Sequence, residues 1–268
     1  MSYDDFIKRA TDKKGLDIDW KRIKSLTPTD LTHHKICIDL CKIISFDSMI
    51  DAGPGSIGSE AWSIDMLKPE CKIYGFEPGD ARYDLLKKAD YPGILSKMAI
   101  SSFEGDLEGG MGFEEGRSDF CTNANDVCYD LNLYKKATVK CTTIDTIIES
   151  EELENVFIWA DIEGAELELL KGAKQSFEQK KIVGFWTELN FDKDPAQANF
   201  CSYKEVINLL NEYGFRTPSK VRPVTSRDVY NADYFGTHAD YLFLPQEHPI
   251  FGTAASSALK ALNYRRGR

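Results

Sequence analysis

Apolar positions along this chain switch repeatedly between two periods. Short apolar runs stop at Gly, Pro or an acidic residue, and a stretch with helical spacing follows. "SMIDAG" ends one such run at Gly53, and residues 56–67 then carry a helix-like pattern with Ser56 or Ser59 at its start and Pro69 beyond its end. "CKIYGFEPGD" predicts a second strand ending at Glu77, broken by Pro78 and Gly79 before the helical spacing of "DARYDLLKKAD". After Pro92, "GILSKMAIS" reads as a third strand. "KATVKCTTI" predicts a strand at or near an edge, and "TTIDTIIES" a short helix. "NVFIWADIEG" is a strongly apolar strand stopping at Asp161, and "EGAELELLKGAKQSF" then sets Leu167, Leu170 and Ala173 on one helical stripe. "KIVGFWTELN" is a strand running to Glu188; a helix over "SYKEVINLLNEYG" stops at Gly214, and "HADYLFLPQ" is a late strand.

Strands that alternate with helices imply right-handed crossovers, hence an α/β fold with a mostly parallel central sheet and helices on both faces. Ligands in such sheets bind beyond the carboxyl ends of the strands. Asp51, Glu77, Asp161 and Glu188 all fall at such ends. Residues 1–45 read as a helical cap and 46–248 as the main domain. A polar insertion at 103–135 reads as an exposed loop or irregular hairpin, and 249–268 as a tail.

The bulk numbers narrow the function classes. With 268 residues the chain can bury a full core, and 42% hydrophobic with 28% charged residues is an ordinary globular composition. No apolar run approaches the roughly 20 residues that cross a bilayer, and the polar start "MSYDDFIKRATDKKG" is unlike a signal peptide. A cytoplasmic protein is expected. The formal charge of -10 disfavours a broad phosphate-neutralising surface, so nucleic acid is a disfavoured partner. Seven scattered cysteines without a CxxC framework suit a reducing compartment.

Candidate chemistry sits at the strand exits. "IDAGPGSIGSE" carries Gly53, Gly55 and Gly58 in a turn that lets backbone N–H groups approach a nucleotide-like ligand. Glu77, 26 positions after Asp51, is placed to accept hydrogen bonds from ribose hydroxyls. Asp51 and Glu60 flank the turn, and a carboxylate aimed into it would repel the pyrophosphate of NAD but receive the ammonium of S-adenosylmethionine.

Taken together, "IDAGPGSIGSE", "IYGFEPGD", "MAISSFEG", "CTTIDTI" and "IWADIEGAELELLKGA" resemble the ordered motifs of the FkbM family of S-adenosylmethionine-dependent methyltransferases, over about residues 48–190. The resemblance implies a Rossmann-like class I methyltransferase fold and O-methyl transfer to a hydroxyl of a sugar, glycan or other small acceptor. It also implies a cofactor site. Asp51, Gly53 and Gly55 would lie at the methionine end, Glu77 at the ribose, and Ala99, Ile100 and Ser101 at the adenine; Glu60, beside the turn, and Pro78, after Glu77, are further cofactor-binding candidates. Asp161 would face the transfer site. Pro54, where the family more often carries alanine, removes one backbone donor from the turn.

Methyl transfer needs an oriented hydroxyl and a group to take its proton, which a carboxylate can do. Asp161 is the first candidate for acceptor orientation and Glu163 for substrate binding or proton acceptance, with Glu166 and Glu188 as further carboxylates around the same edge. Against these stand blander roles: Asp161 as a helix cap, and Glu166 as a solvated position. Oxygen ligands at 161, 163, 166 and 188 leave Mg²⁺ or Ca²⁺ open without a spacing that favours it. Trp159 and Trp186 lie in apolar stretches and are expected in the core, and isolated His238 is weighed as an acid or base against a turn histidine. The alternatives to methyl transfer are an NAD-dependent oxidoreductase, a noncatalytic glycan-binding protein and a nucleic-acid methyltransferase. Acceptor and oligomeric state are not encoded in any motif.

Overall fold

The computed structural model describes residues 37, 40–55, 58–112, 120–121, 134–162, 164–190, 203–217 and 238–252. Its first strand, β1 (Ser48–Ala52), is buried at all five positions, as a strand covered on both faces must be. Helix α1 (Ser59–Leu67), β2 (Lys72–Phe76), α2 (Asp80–Lys88) and β3 (Ile94–Ser96) follow in the alternation the sequence predicts. Then come β4 (Ala99–Ile100), β5 (Gly105–Gly112), β6 (Phe120–Cys121), β7 (Tyr134–Thr142) and α3 (Ile144–Ser150). The chain continues through β8 (Val156–Ala160), α4 (Glu166–Lys171), α5 (Lys174–Glu178), β9 (Ile182–Asn190), α6 (Tyr203–Glu212), β10 (Phe215–Arg216), β11 (His238–Pro245) and a 3-10 turn at Pro249–Gly252.

The main sheet has the order β10-β11-β9-β8-β1-β2-β3. Pairs β9/β8, β8/β1, β1/β2 and β2/β3 are parallel, and only β11 runs against its neighbours. Parallel pairing about a central β1, with one reversed strand inserted near an edge, is the class I methyltransferase arrangement.

Side-chain alternation along these strands separates two cores. Ile50, Ala52, Ile158, Ala160 and Phe185 face α3, α4, α5 and α6. Met49, Phe157, Trp159 and Trp186 face the opposite way, toward Ala61 and Ile64 of α1 and Leu86 of α2. Trp159 and Trp186 stack with centroids 5.1 Å apart, which is the core role expected for them. Cys37, Leu40, Ile44 and Phe46 complete this second core, so the end of the N-terminal segment is part of the domain interior. Residues 1–36, Glu163, the link 191–202 and the tail beyond 252 lie outside the described residues.

Three local expectations change. "GILSKMAIS" is not one strand: β3 joins the main sheet, while β4 pairs with β7 in a second sheet of order β4-β7-β5-β6. The insertion therefore carries antiparallel structure, with β5 paired to β7 over eight residues, while β7 lies one strand in from the edge strand β4, the near-edge place expected for it. The "EGAELELLKGAKQSF" stretch breaks at Gly172 into α4 and α5. The break has a visible cause. Asp145 of α3 caps α5 by accepting hydrogen bonds from the Gln175 and Ser176 N–H groups, at 3.0 and 2.8 Å, and so starts a new helix.

Gly172 also presses on the backbone that leads away from β4. A Cβ there would lie 2.2 Å from the Ser101 carbonyl oxygen. Gly172→Ala is therefore expected to destabilise the domain by about 1–3 kcal/mol, the range for forcing atoms into a packed interior. Urea unfolding of the variant against the parent checks it, and unchanged stability would show that the contact relaxes freely.

Candidate functional site

The register of the parallel strands decides which residues meet at the carboxyl edge. Ala52 of β1 lies opposite Phe76 of β2 and Ala160 of β8, and Ala160 lies opposite Thr187 of β9. The next residue on each strand therefore forms one row: Glu77, Gly53, Asp161 and Glu188. Three strand spacings of about 4.8 Å make that row about 14 Å long. Asp51 lies two residues below Gly53 on β1.

Backbone bonds stitch the row. Gly53 N–H donates to the Phe76 carbonyl at 3.0 Å, Asp161 N–H to the Ala52 carbonyl at 3.0 Å, and Glu77 N–H to the Ser96 carbonyl at 3.1 Å. Gly53 has φ +80°, and a Cβ on it would sit 2.2 Å from the Asp161 carbonyl oxygen, so no larger residue lets the β1 and β8 exits approach this way. Gly55, with φ +64°, differs: a Cβ there would meet nothing within 4 Å. Its backbone borders open space, as a ligand cradle requires. Gly58 N–H donates to the Pro54 carbonyl at 3.0 Å and closes the turn onto α1.

Each acidic candidate then has a distinct setting. Glu77 is 3% exposed, and its Oε1 accepts from Gly79 N–H at 2.7 Å, which fixes the carboxylate just past β2 beside half-buried Pro78. Glu60 is buried in the first turn of α1. Asp161 is half-buried directly after β8. It is not the residue flanking α4, because Ala165 occupies that position and makes no side-chain cap. Glu166 is buried, and its Oε1 accepts from Gly164 N–H at 3.1 Å, so it braces the turn before α4 instead of lying in solvent. Glu188 is buried in β9, opposite Asp240 of β11. Ala99, Ile100 and Ser101 are buried, starting three residues beyond the end of β3, with Ser101 N–H donating to the Thr142 carbonyl at 2.9 Å.

Asp51 has no exposed surface. Burial raises its pKa well above the ordinary 3.8, and the charges of Glu60 and Glu77 push it the same way. One interaction opposes them: the Tyr91 hydroxyl donates to Asp51 Oδ2 at 2.7 Å. The other oxygen, Oδ1, is buried and finds no hydrogen-bond partner among the described residues. A buried carboxylate with an unused acceptor, next to a turn bordering open space, fits a ligand that brings a cation and an N–H donor. S-adenosylmethionine carries both at its methionine end, whereas a pyrophosphate would meet repulsion.

Tyr91 is the residue that sequence reasoning passed over. Its signal was Gly75 in the middle of β2, since a strand-interior glycine marks the close approach of another group. A groove of about 710 Å³ lies at the opposite end of the sheet, where β9 begins near Ile182 and β11 ends at Pro245. It lacks the glycine turn and the acidic row, and its Glu247 is paired with Lys180 at 3.4 Å. Among the described residues, no three His, Cys, Asp or Glu gather as a metal site, and no helix is long and apolar enough to cross a membrane. His238 opens β11 opposite Asn190 in backbone register, and its side chain lies outside the described residues.

The Asp51 setting makes a testable demand on stability. A carboxyl group whose pKa is raised by folding is harmless while protonated. Stability falls as pH rises above the unfolded value, until the folded group also ionises. Asn is neutral throughout, keeps the shape and can still accept from Tyr91. Asp51→Asn is expected to raise the melting temperature of the ligand-free protein, with a gain that widens as pH rises above about 4. Thermal melts across that range check it; a gain independent of pH, or a loss, would mean that Asp51 is not a strained carboxylate.

Comparison with known proteins adds a family to this geometry. No curated protein matches the chain significantly. Among solved structures, the methyltransferase domain of METTL16 is 13% identical, covering 89% of this chain and 92% of that one with a TM-score of 0.42. A SAM-dependent methyltransferase from Aquifex aeolicus is 16% identical, with 75% and 90% coverage and a TM-score of 0.37. A SAM-dependent O-methyltransferase from Thermotoga maritima is 15% identical, with 90% and 71% coverage and a TM-score of 0.39. Likenesses this distant say nothing of the acceptor. A family profile described as the methyltransferase FkbM domain matches residues 55–217, more than half of the chain, and its span takes in Gly55, Glu77, Asp161 and Glu188. The chain belongs to the FkbM family of methyltransferases, with S-adenosylmethionine as methyl donor.

Proposed function

We propose that this methyltransferase acts on a hydroxyl oxygen of a sugar, glycan or other small acceptor, with Asp161 orienting that hydroxyl and taking its proton. The observation that carries the reading is the register that sets Asp161 beside Gly53, between the glycine turn and Glu188. A proton acceptor there is one strand away from the donor's cradle. Glu77, Pro78 and the buried stretch Ala99, Ile100 and Ser101 serve the ribose and adenine, while Asp51, Gly53, Gly55 and Glu60 serve the methionine end.

When bound, S-adenosylmethionine supplies an electrophilic methyl on a sulfonium sulfur. The chain's own work is placement and proton transfer. Asp161 accepts a hydrogen bond from the acceptor hydroxyl and takes its proton as the new oxygen–carbon bond forms and the sulfur–carbon bond breaks to leave a neutral thioether. Glu188 lines the far side of the same edge, and Glu166 holds the turn that carries Asp161 into α4. Glu163 is the rival proton acceptor from that turn. A neutral hydroxyl acceptor suits this edge because an anionic one would meet its carboxylates.

Methyl transfer to a panel of sugar, glycan, lipid and nucleotide acceptors, read by product mass, tests the acceptor class; exclusive methylation of nucleotides would overturn it. With an accepted substrate, Asp161→Asn should keep donor affinity and lower single-turnover rate by about 100-fold or more. Glu163→Gln is the control. A larger loss there exchanges the two roles, and a parental rate in folded Asp161→Asn removes Asp161 as the base.

A further inference from the structure

Tyr91 occupies a slot that two glycines keep clear. A Cβ on Gly75 would lie 2.6–2.7 Å from Tyr91 Cζ, Cε1 and Oη, and a Cβ on Gly58 would lie 2.9 Å from its Cε2. Gly75 is the register partner of Asp51 on the adjoining strand. The missing side chain therefore opens a space directly beside the Asp51 carboxylate, and the ring fills it. Gly58 closes the other side at the foot of α1, where the glycine turn ends. One buried ring touches the turn, β2 and the β1 carboxylate together, and its hydroxyl donates to Asp51 Oδ2 at 2.7 Å.

From this geometry we propose that Tyr91 is a positioning residue of the donor site, holding the Asp51 carboxylate beneath the glycine turn in the orientation and charge state that attract the ammonium of S-adenosylmethionine. The inference rests on the assignment of Asp51 to the methionine end. Among the described residues, every other group that bears on Asp51 works against its charge or is neutral. Glu60 comes from α1, Glu77 from the exit of β2, and Cys37 from the N-terminal helical segment carries a thiol that burial keeps protonated. The Tyr91 bond is the interaction that favours the ionised form. Burial likewise pushes the Tyr91 hydroxyl up, so it remains a donor. In so dry a setting the fixed charge acts on a nearby cation with little screening, without needing direct contact.

Tyr91→Phe removes one oxygen and keeps the ring in its slot, so the variant is expected to fold. Two ligands separate positioning from packing. S-adenosylhomocysteine carries the ammonium, and methylthioadenosine lacks the whole amino-acid end while keeping ribose and adenine. Calorimetric titration of Tyr91→Phe should show about tenfold weaker binding of S-adenosylhomocysteine near pH 7, with methylthioadenosine within about twofold of the parent. The pH above which S-adenosylhomocysteine binds at full strength should also move upward, because ionising Asp51 has become harder. Equal weakening of both ligands would reduce Tyr91 to a packing role, and unchanged affinity for both would overturn the inference. Parent protein that binds methylthioadenosine as tightly as S-adenosylhomocysteine would instead remove the assignment of Asp51 to the methionine end, and the inference with it.

Discussion

The whole edge depends on how closely β1 and β8 can exit the sheet together. Gly53 lies so near the Asp161 carbonyl that a single methyl group would overlap it, and its positive φ turns the chain away at that point. That approach lets Asp161 N–H reach the Ala52 carbonyl, and it sets the level of every neighbouring strand end. Glu77, Gly53, Asp161 and Glu188 share one row because the parallel register admits no independent adjustment. Two faces of buried apolar side chains hold the register, since a slip by one residue would exchange the sets packed against α1 and against α4.

The same edge stores electrostatic cost. A fully buried Asp51 near Glu60 and Glu77 opposes folding once it ionises, and a hydrophobic core of this size can absorb that cost. Such clusters persist where a cationic ligand compensates them, which is the common origin of strongly perturbed carboxyl groups at functional sites. On the proposed reading, the fold provides the backbone cradle and the acidic residues select what enters it.

Much of this was legible in the sequence because strand ends are punctuated locally. Glu77 and Asp161 each directly follow an apolar run that stops at the acidic residue, so their placement needed only the rule that parallel strands exit on one side, whereas Asp51 and Glu188 lie inside β1 and β9, one and two residues short of where those strands end. What escaped was set by distant contacts. The break at Gly172 follows from the Asp145 cap and the Ser101 carbonyl, both contributed by other elements. The split of "GILSKMAIS" follows from β4 finding β7 some forty residues later. Tyr91 looked like an ordinary aromatic residue after a helix, since the glycines that make its slot lie 16 and 33 positions earlier.

The central claim is that this edge selects a cationic donor and rejects a dinucleotide. Calorimetric titration of the unmodified protein with S-adenosylhomocysteine and with NAD, under one buffer and salt condition, tests it most directly. The account predicts saturable binding of S-adenosylhomocysteine and no detectable heat from NAD. Low-micromolar NAD binding with no response to S-adenosylhomocysteine would contradict it.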